Sequence, residues 1–190
     1  MENRKKLYVG VGLFLFLCLP DVRDILAASM IGQMIIQIPL LAVTGYLFGR
    51  WIKGLCQNLE VNYNGVPGIL VVLFASLYWI LPRSIDAALN SGSMEVVKYV
   101  TVPLLIGLPL ALSWERLAST VKGLILANLI SMSFVMGWLY VNAPVRLCNN
   151  YLTDQQVDLG KILIAIAILL FTFFFMKVFF FGFHTPSSSE

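Results

Sequence analysis

The sequence predicts an all-α fold, a polytopic bundle of about six membrane-spanning helices. Of its 190 residues, 59% are hydrophobic and only 12% are charged, against about 45–50% and about 25% for an ordinary soluble domain. The mean hydropathy is +0.85. Apolar runs of near-spanning length follow one another along almost the whole chain, with short polar clusters between them. A hydrocarbon core of roughly 30 Å asks for about 20 such residues per helix. The chain therefore reads as a single membrane domain, residues 1–190, whose last residues, 184–190, form a short tail.

The first run, residues 7–19, follows Arg4, Lys5 and Lys6 as the apolar part of a signal peptide would. No small-residue cleavage pattern follows, only Pro20-Asp21-Val22-Arg23-Asp24, so the run reads as a short uncleaved span. The second, 25–48, closes on Gly49-Arg50-Trp51, where a cation and an aromatic suit lipid headgroups. A polar connection with Arg50, Lys53, Asn58, Glu60, Asn62 and Asn64 leads to the third run, 67–81, which ends in Tyr78-Trp79 and Pro82-Arg83. Residues 84–98 are too polar to span, and Ser91-Gly92-Ser93 ahead of Glu95 marks the turn that starts the fourth span, 96–114. That span contains Pro103 and Pro109, each of which removes a backbone hydrogen bond. The fifth run, 121–141, leads to Pro144-Val145-Arg146 and a polar stretch through Asp158, and the sixth, 162–183, precedes the Ser-rich tail.

Cytoplasmic loops of membrane proteins hold an excess of Lys and Arg. With both termini in the cytoplasm of a bacterial inner membrane, eight of the 13 basic residues (Arg4, Lys5, Lys6, Arg50, Lys53, Arg116, Lys122, Lys177) fall inside. Arg23, Arg83, Lys98, Arg146 and Lys161 fall outside. A net charge of +3, with no basic run beyond Arg4-Lys5-Lys6, argues against a nucleic-acid partner. Cys18, Cys56 and Cys148 show no CxxC spacing, and the only histidine is His184 in the tail. With no nucleotide-binding, Ser-His-Asp or HExxH pattern, the sequence offers no positive case for an enzyme.

Some polar residues stand out. Met30, Gln33, Met34 and Gln37 recur at three- and four-residue spacing and share a helical stripe. Its amides suit helix–helix hydrogen bonds, and its thioethers suit a soft ion such as Cu(I). The outer loops collect Asp21, Arg23, Asp24, Arg83, Asp86, Glu95, Lys98, Arg146, Cys148, Asn149, Asn150, Asp154 and Gln155. Cys148, two residues from Arg146, is either a thiol activated by that guanidinium or an inert one at a helix end. Within the spans, Asn128 suits an interhelical hydrogen bond, and Lys177 suits a side chain reaching out to headgroups.

Two stretches carry a resemblance: Asp24-Ile25-Leu26-Ala27-Ala28-Ser29-Met30-Ile31-Gly32-Gln33-Met34-Ile35-Ile36-Gln37 and Tyr78-Trp79-Ile80-Leu81-Pro82-Arg83-Ser84-Ile85-Asp86-Ala87-Ala88-Leu89. From about residue 21 to 114, roughly half its length, the chain resembles the CtaG-like cytochrome oxidase assembly factors, polytopic membrane proteins associated with copper supply to haem-copper oxidases. In that family one helix carries His-Met-x-x-His, a Trp-His-Leu-Pro stretch precedes Asp-x-Ala-Leu, and His-x-x-Glu-His opens the following helix. Here the order and spacing are kept while the histidines are replaced, by Gln33 and Gln37, by Ile80, and by Glu95 and Tyr99, with Lys98 at the family's Glu. The resemblance implies a membrane-embedded assembly factor or accessory subunit for a respiratory copper or haem-copper enzyme. It would act mainly at the periplasmic face, through Gln33, Gln37, Arg83, Asp86, Glu95, Lys98, Tyr99, Arg146 and Asn149. No tightly bound copper or haem is expected, and Met30, Met34 and Cys148 leave room for a transient copper contact. The partners implied are the lipid bilayer and a haem-copper oxidase or other copper membrane enzyme. The alternative is a small membrane carrier or channel, for which paired broken helices would be the sign, and in the second span only Pro39 answers Pro103 and Pro109.

Overall fold

A computed structural model describes residues 2–55 and 64–181, and among these every regular element is helical. In order they are α1 (Glu2–Cys18), α2 (Pro20–Ala27), a first π-helical turn (Gly32–Gln37) running into α3 (Ile38–Leu55), α4 (Val66–Ile80), α5 (Pro82–Asn90), α6 (Gly92–Thr101), a second π-helical turn (Val102–Gly107) running into α7 (Leu108–Ser113), α8 (Ser119–Asn142) and α9 (Thr153–Phe181). The all-α membrane bundle expected from composition is what forms. Gly32–Gly54, Gly92–Ser113, Ser119–Asn142 and Thr153–Phe179 are each long and apolar enough to cross a bilayer. Val66–Ile80 and Pro82–Asn90, bent by 69°, add a fifth when taken together. The short first run forms α1, whose 17 residues extend about 25 Å at 1.5 Å per residue.

Local chemistry explains several element boundaries. Pro20 and Pro82 stand at the first positions of α2 and α5, where the missing N–H is not needed. The second run is not one helix, as hydropathy suggests: the chain turns at Ala28–Ser29, and the Ser29 hydroxyl caps the restarted helix by accepting the Gly32 N–H at 3.0 Å. Residues 84–98, expected to be a polar connection, instead form most of α5 and the first turns of α6.

Both π turns end two residues before a proline, Pro39 in one case and Pro109 in the other. A proline cannot donate to the carbonyl four residues back and its ring presses against that oxygen, here Ile35 or Leu105, both inside the π turns. Widening the turn relieves the clash by shifting bonds to the fifth residue, as in Ile38 N–H to Gln33 O and Leu108 N–H to Pro103 O. Pro39 is thus the counterpart of Pro109, and the pair of interrupted helices that hydropathy does not reveal is present.

These two interrupted helices run side by side at van der Waals limits. A Cβ on Gly45 would come within 2.0 Å of the Pro103 carbonyl oxygen, and one on Gly107 within 2.1 Å of Ala42 O. Such backbone contact is the usual source of cohesion in lipid, which supplies no hydrophobic drive between helices. Around it, Leu17, Leu41, Ile69, Val72, Trp79, Tyr99, Val102 and Ile106 form one apolar core. A second core of Met30, Ile85, Tyr140, Cys148, Tyr151 and Leu159 lies under the loop between α8 and α9. Those two helices are clamped where Gly137 meets Gly160, a Cβ on either coming within 2.8 Å of the other's carbonyl oxygen.

Candidate functional site

The first π turn directs its two amides inward. Gln37 Oε1 accepts from Lys98 Nζ at 2.8 Å, its Nε2 donates to Tyr99 Oη at 2.9 Å, and Tyr99 Oη donates to the Leu17 carbonyl at 2.8 Å. This chain of bonds ties α6 to the π turn and to α1. Lys98 is 1% exposed, although the sequence places it in an outer loop, and its ammonium also lies 5.4 Å from the centre of the Tyr99 ring. One turn earlier, Gln33 is fully buried, and neither atom of its carboxamide has a partner among the described residues. Toward the loop end, Glu95 accepts from Arg23 Nη1 at 3.3 Å, and Arg23 also bonds Asp24 at 3.2 Å. A polar track therefore leads from the partly exposed Arg23–Glu95 pair to a buried cation. The stripe Met30, Gln33, Met34, Gln37 faces the bundle, with Met34 alone half-buried.

A second polar arrangement closes the same end of the molecule. Asp86, buried on α5, accepts from the Asn149 N–H at 2.7 Å, the Asn150 N–H at 3.4 Å and Asn150 Nδ2 at 3.2 Å. Gln156 accepts the Leu147 N–H at 2.8 Å and donates to Tyr140 O at 3.1 Å, while Tyr151 Oη reaches Ala27 O at 2.8 Å. Loop 143–152 is thereby fastened over Met30 and Ile85, with its own Cys148 and Tyr151 turned into that core. Cys148 is 1% exposed, with Sγ 3.9 Å from the Pro82 carbonyl oxygen. Burial, aided by the Asp86 charge, pushes its thiol up to about 12, and burial likewise pushes Tyr151 up to about 12. The activated thiolate that its neighbour Arg146 suggests is thus corrected: Arg146 is exposed and the thiol is sealed beneath the loop.

The soft donors do gather in one region. Met30 and Cys148 belong to the same core, and Met34 packs on it with Sδ 3.8 Å from Tyr140 Oη. Among the described residues, no group of three or more His, Cys, Asp and Glu side chains comes together. Arg83 is exposed, like Arg146. Tyr140, Tyr151 and Gln156 were not legible as site residues, because each works through a backbone carbonyl or a distant loop that no spacing reveals. Asn128, expected to bond to a neighbouring helix, instead lies exposed on α8 without a hydrogen-bond partner among the described residues. At the opposite end of the bundle, Arg50 on α3 and Lys53 both bond Glu115 beyond α7, and these bonds hold its carboxyl below the usual range. His184, Cys56 and the tail lie outside the described residues. No family model, curated protein or solved structure matches the chain.

Proposed function

We propose that the chain is a membrane-embedded assembly factor or accessory subunit of a respiratory copper or haem-copper enzyme, working without a tightly bound metal. The observation that carries the reading is Asn128, near the middle of α8 and turned outward. An unpartnered carboxamide facing hydrocarbon is costly, so the face it shares with exposed Ser131 suits a partner's helix better than lipid. The α8–α9 hairpin is also the least covered part of the bundle. Only 11% and 6% of these two spans are buried, against 28% and 39% for the two interrupted helices.

The resemblance to the CtaG-like assembly factors supplies the class of partner, and the buried cluster supports the metal-free half of the reading. Gln37 stands where that family has a histidine, and both polar atoms of its amide are occupied by Lys98 and Tyr99. Lys98 puts an ammonium where a copper site would need a donor. These residues do not fit copper. The Lys and Arg distribution favours both termini on the cytoplasmic side of a bacterial inner membrane, and moving Lys98 from the outer loops into the bundle strengthens that bias.

Affinity purification from native membranes in mild detergent tests the proposal. A haem-copper oxidase, recognised by its haem absorption and subunits, is expected to accompany the wild-type chain and to be largely lost with Asn128→Leu. Recovery of the chain free of oxidase, together with unchanged oxidase activity and copper content in a deletion strain, would refute it. A carrier is the second reading, favoured by the paired π turns beside a buried cation, because broken helices around a polar centre are a transporter framework. Solute uptake lost in the deletion strain while oxidase stays normal would favour that reading.

A further inference from the structure

One end of the bundle carries positive charge that the acids there do not balance. Arg50 and Lys53 on α3 share Glu115, and Arg116 follows Glu115 in the chain. Helix α1 runs antiparallel to α3, since Leu17 O is linked through Tyr99 to Gln37 while a Cβ on Gly10 would lie 3.2 Å from Leu47 Cβ. Arg4, Lys5 and Lys6 therefore reach the level of Arg50 and Lys53. Helix α9 is antiparallel to α8 by the same kind of evidence: a Cβ on Gly137 would meet Ile164, and one on Gly160 would meet Val141. Lys122 lies 15 residues before Gly137 and Lys177 lies 17 after Gly160, so the two lysines stand at one level. Eight cations thus gather at this end with Glu2 and Glu115, and counting Glu60 and Glu190 as well, which lie outside the described residues, still leaves a net +4. At the opposite end six acids meet five cations.

We propose that this end selects anionic phospholipids from its leaflet, with the headgroup phosphates held by Lys122 and Lys177 at the rim of the α8–α9 hairpin. These two are the cations that the described residues leave without a carboxylate, whereas Arg50 and Lys53 already share Glu115. Lys122 Nζ lies 5.8 Å from the centre of the Trp114 ring, which is 40% exposed at the end of α7. An aromatic with a lysine across its face at the end of a span marks headgroup depth. The occupant is a lipid and not a soluble anion because the flanks of this rim are the two least covered spans of the bundle, where acyl chains already lie against the helices. Basic groups at a membrane surface attract negatively charged headgroups over zwitterionic ones, and each adds to the preference. The inference does not depend on the partner enzyme proposed above.

The test uses the full chain in phosphatidylcholine bilayers, with spin-labelled phosphatidylglycerol and spin-labelled phosphatidylcholine as probes and the fraction of motionally restricted label as the readout. At low ionic strength the wild type is expected to hold the anionic probe about tenfold more strongly than the zwitterionic one, and the preference is expected to fall as salt screens the surface. Lys122→Gln with Lys177→Gln is expected to lower the preference by about fivefold, and Lys177→Gln alone by about twofold. The single variant changes an exposed side chain and carries the test should the double variant not fold. Arg83→Gln with Arg146→Gln, which removes two exposed cations at the opposite end, is expected to leave most of the preference in place. Equal association of the two probes, an undiminished preference in the folded Lys177→Gln chain, or an equal loss with the Arg83 and Arg146 pair would overturn the inference. Displacement of the anionic probe by inorganic phosphate, beyond the effect of chloride at the same ionic strength, would assign the surface to a soluble anion and overturn it too.

Discussion

Cys148 behaves as a small apolar side chain, because its thiol faces a proline carbonyl under a loop that Asp86 holds shut. Peptide-resolved maleimide labelling near neutral pH is expected to leave Cys148 almost untouched in native membranes and to modify it fully after denaturation. Asp86→Ala, which strips three donors of their acceptor, is expected to speed the native reaction severalfold by loosening the loop. Rapid labelling of the wild-type thiol would show that the loop is open. The inward direction of Gln33 and Gln37 was legible in the sequence, since an amide facing lipid is costly wherever the helix sits. The state of Cys148 was not, because it depends on a contact with Asp86 across more than 60 positions and not on the adjacent guanidinium. Lys98 was misplaced for a similar reason: its helix begins earlier than hydropathy suggests, at Gly92, and a cation that looks like loop lies well inside it.

At the scale of elements, the pair of interrupted helices depends on backbone meeting backbone. Gly107→Leu places carbon where a Cβ already lies 2.1 Å from Ala42 O, and is expected to destabilise the fold by roughly 2–4 kcal/mol through overpacking at a helix crossing. Gly12→Ala, whose Cβ meets nothing within 4 Å, is the neutral control. Unfolding in increasing fractions of denaturing detergent compares the two. Equal stability of both variants would mean that the crossing is looser than described. Hydropathy located most helices, because a run of apolar residues long enough to span must be helical in lipid. It missed the break at Ala28–Ser29, where no proline interrupts the run, and it missed α5, whose Ser84 and Asp86 face inward while Arg83 and Asn90 stay exposed. The prolines behind the π turns are visible in the sequence, but the widened turn follows only once the freed carbonyl has a neighbour to avoid.

In the whole molecule, the polar loops gather at one end and the Arg50–Lys53–Glu115 contacts at the other. Cysteines introduced at exposed Ser93 and Ser119, on a background lacking the native ones, report the orientation. An impermeant maleimide added to intact cells is expected to label the first and spare the second, and the reverse pattern would invert the bundle. The fold as a bundle was legible from composition, but the proximity of Met30, Cys148 and Tyr140 was not, since it depends on how loop 143–152 closes over α5. The central claim is the proposal that Gln37, Lys98 and Tyr99, hydrogen-bonded to one another, serve in this chain without a tightly bound metal. Metal analysis of the full-length protein, purified without chelator and desalted, tests it most directly. Substoichiometric copper that is unaffected by Met34→Leu or Cys148→Ser is the expected result. One copper per chain that survives desalting, and disappears with either substitution, would contradict it.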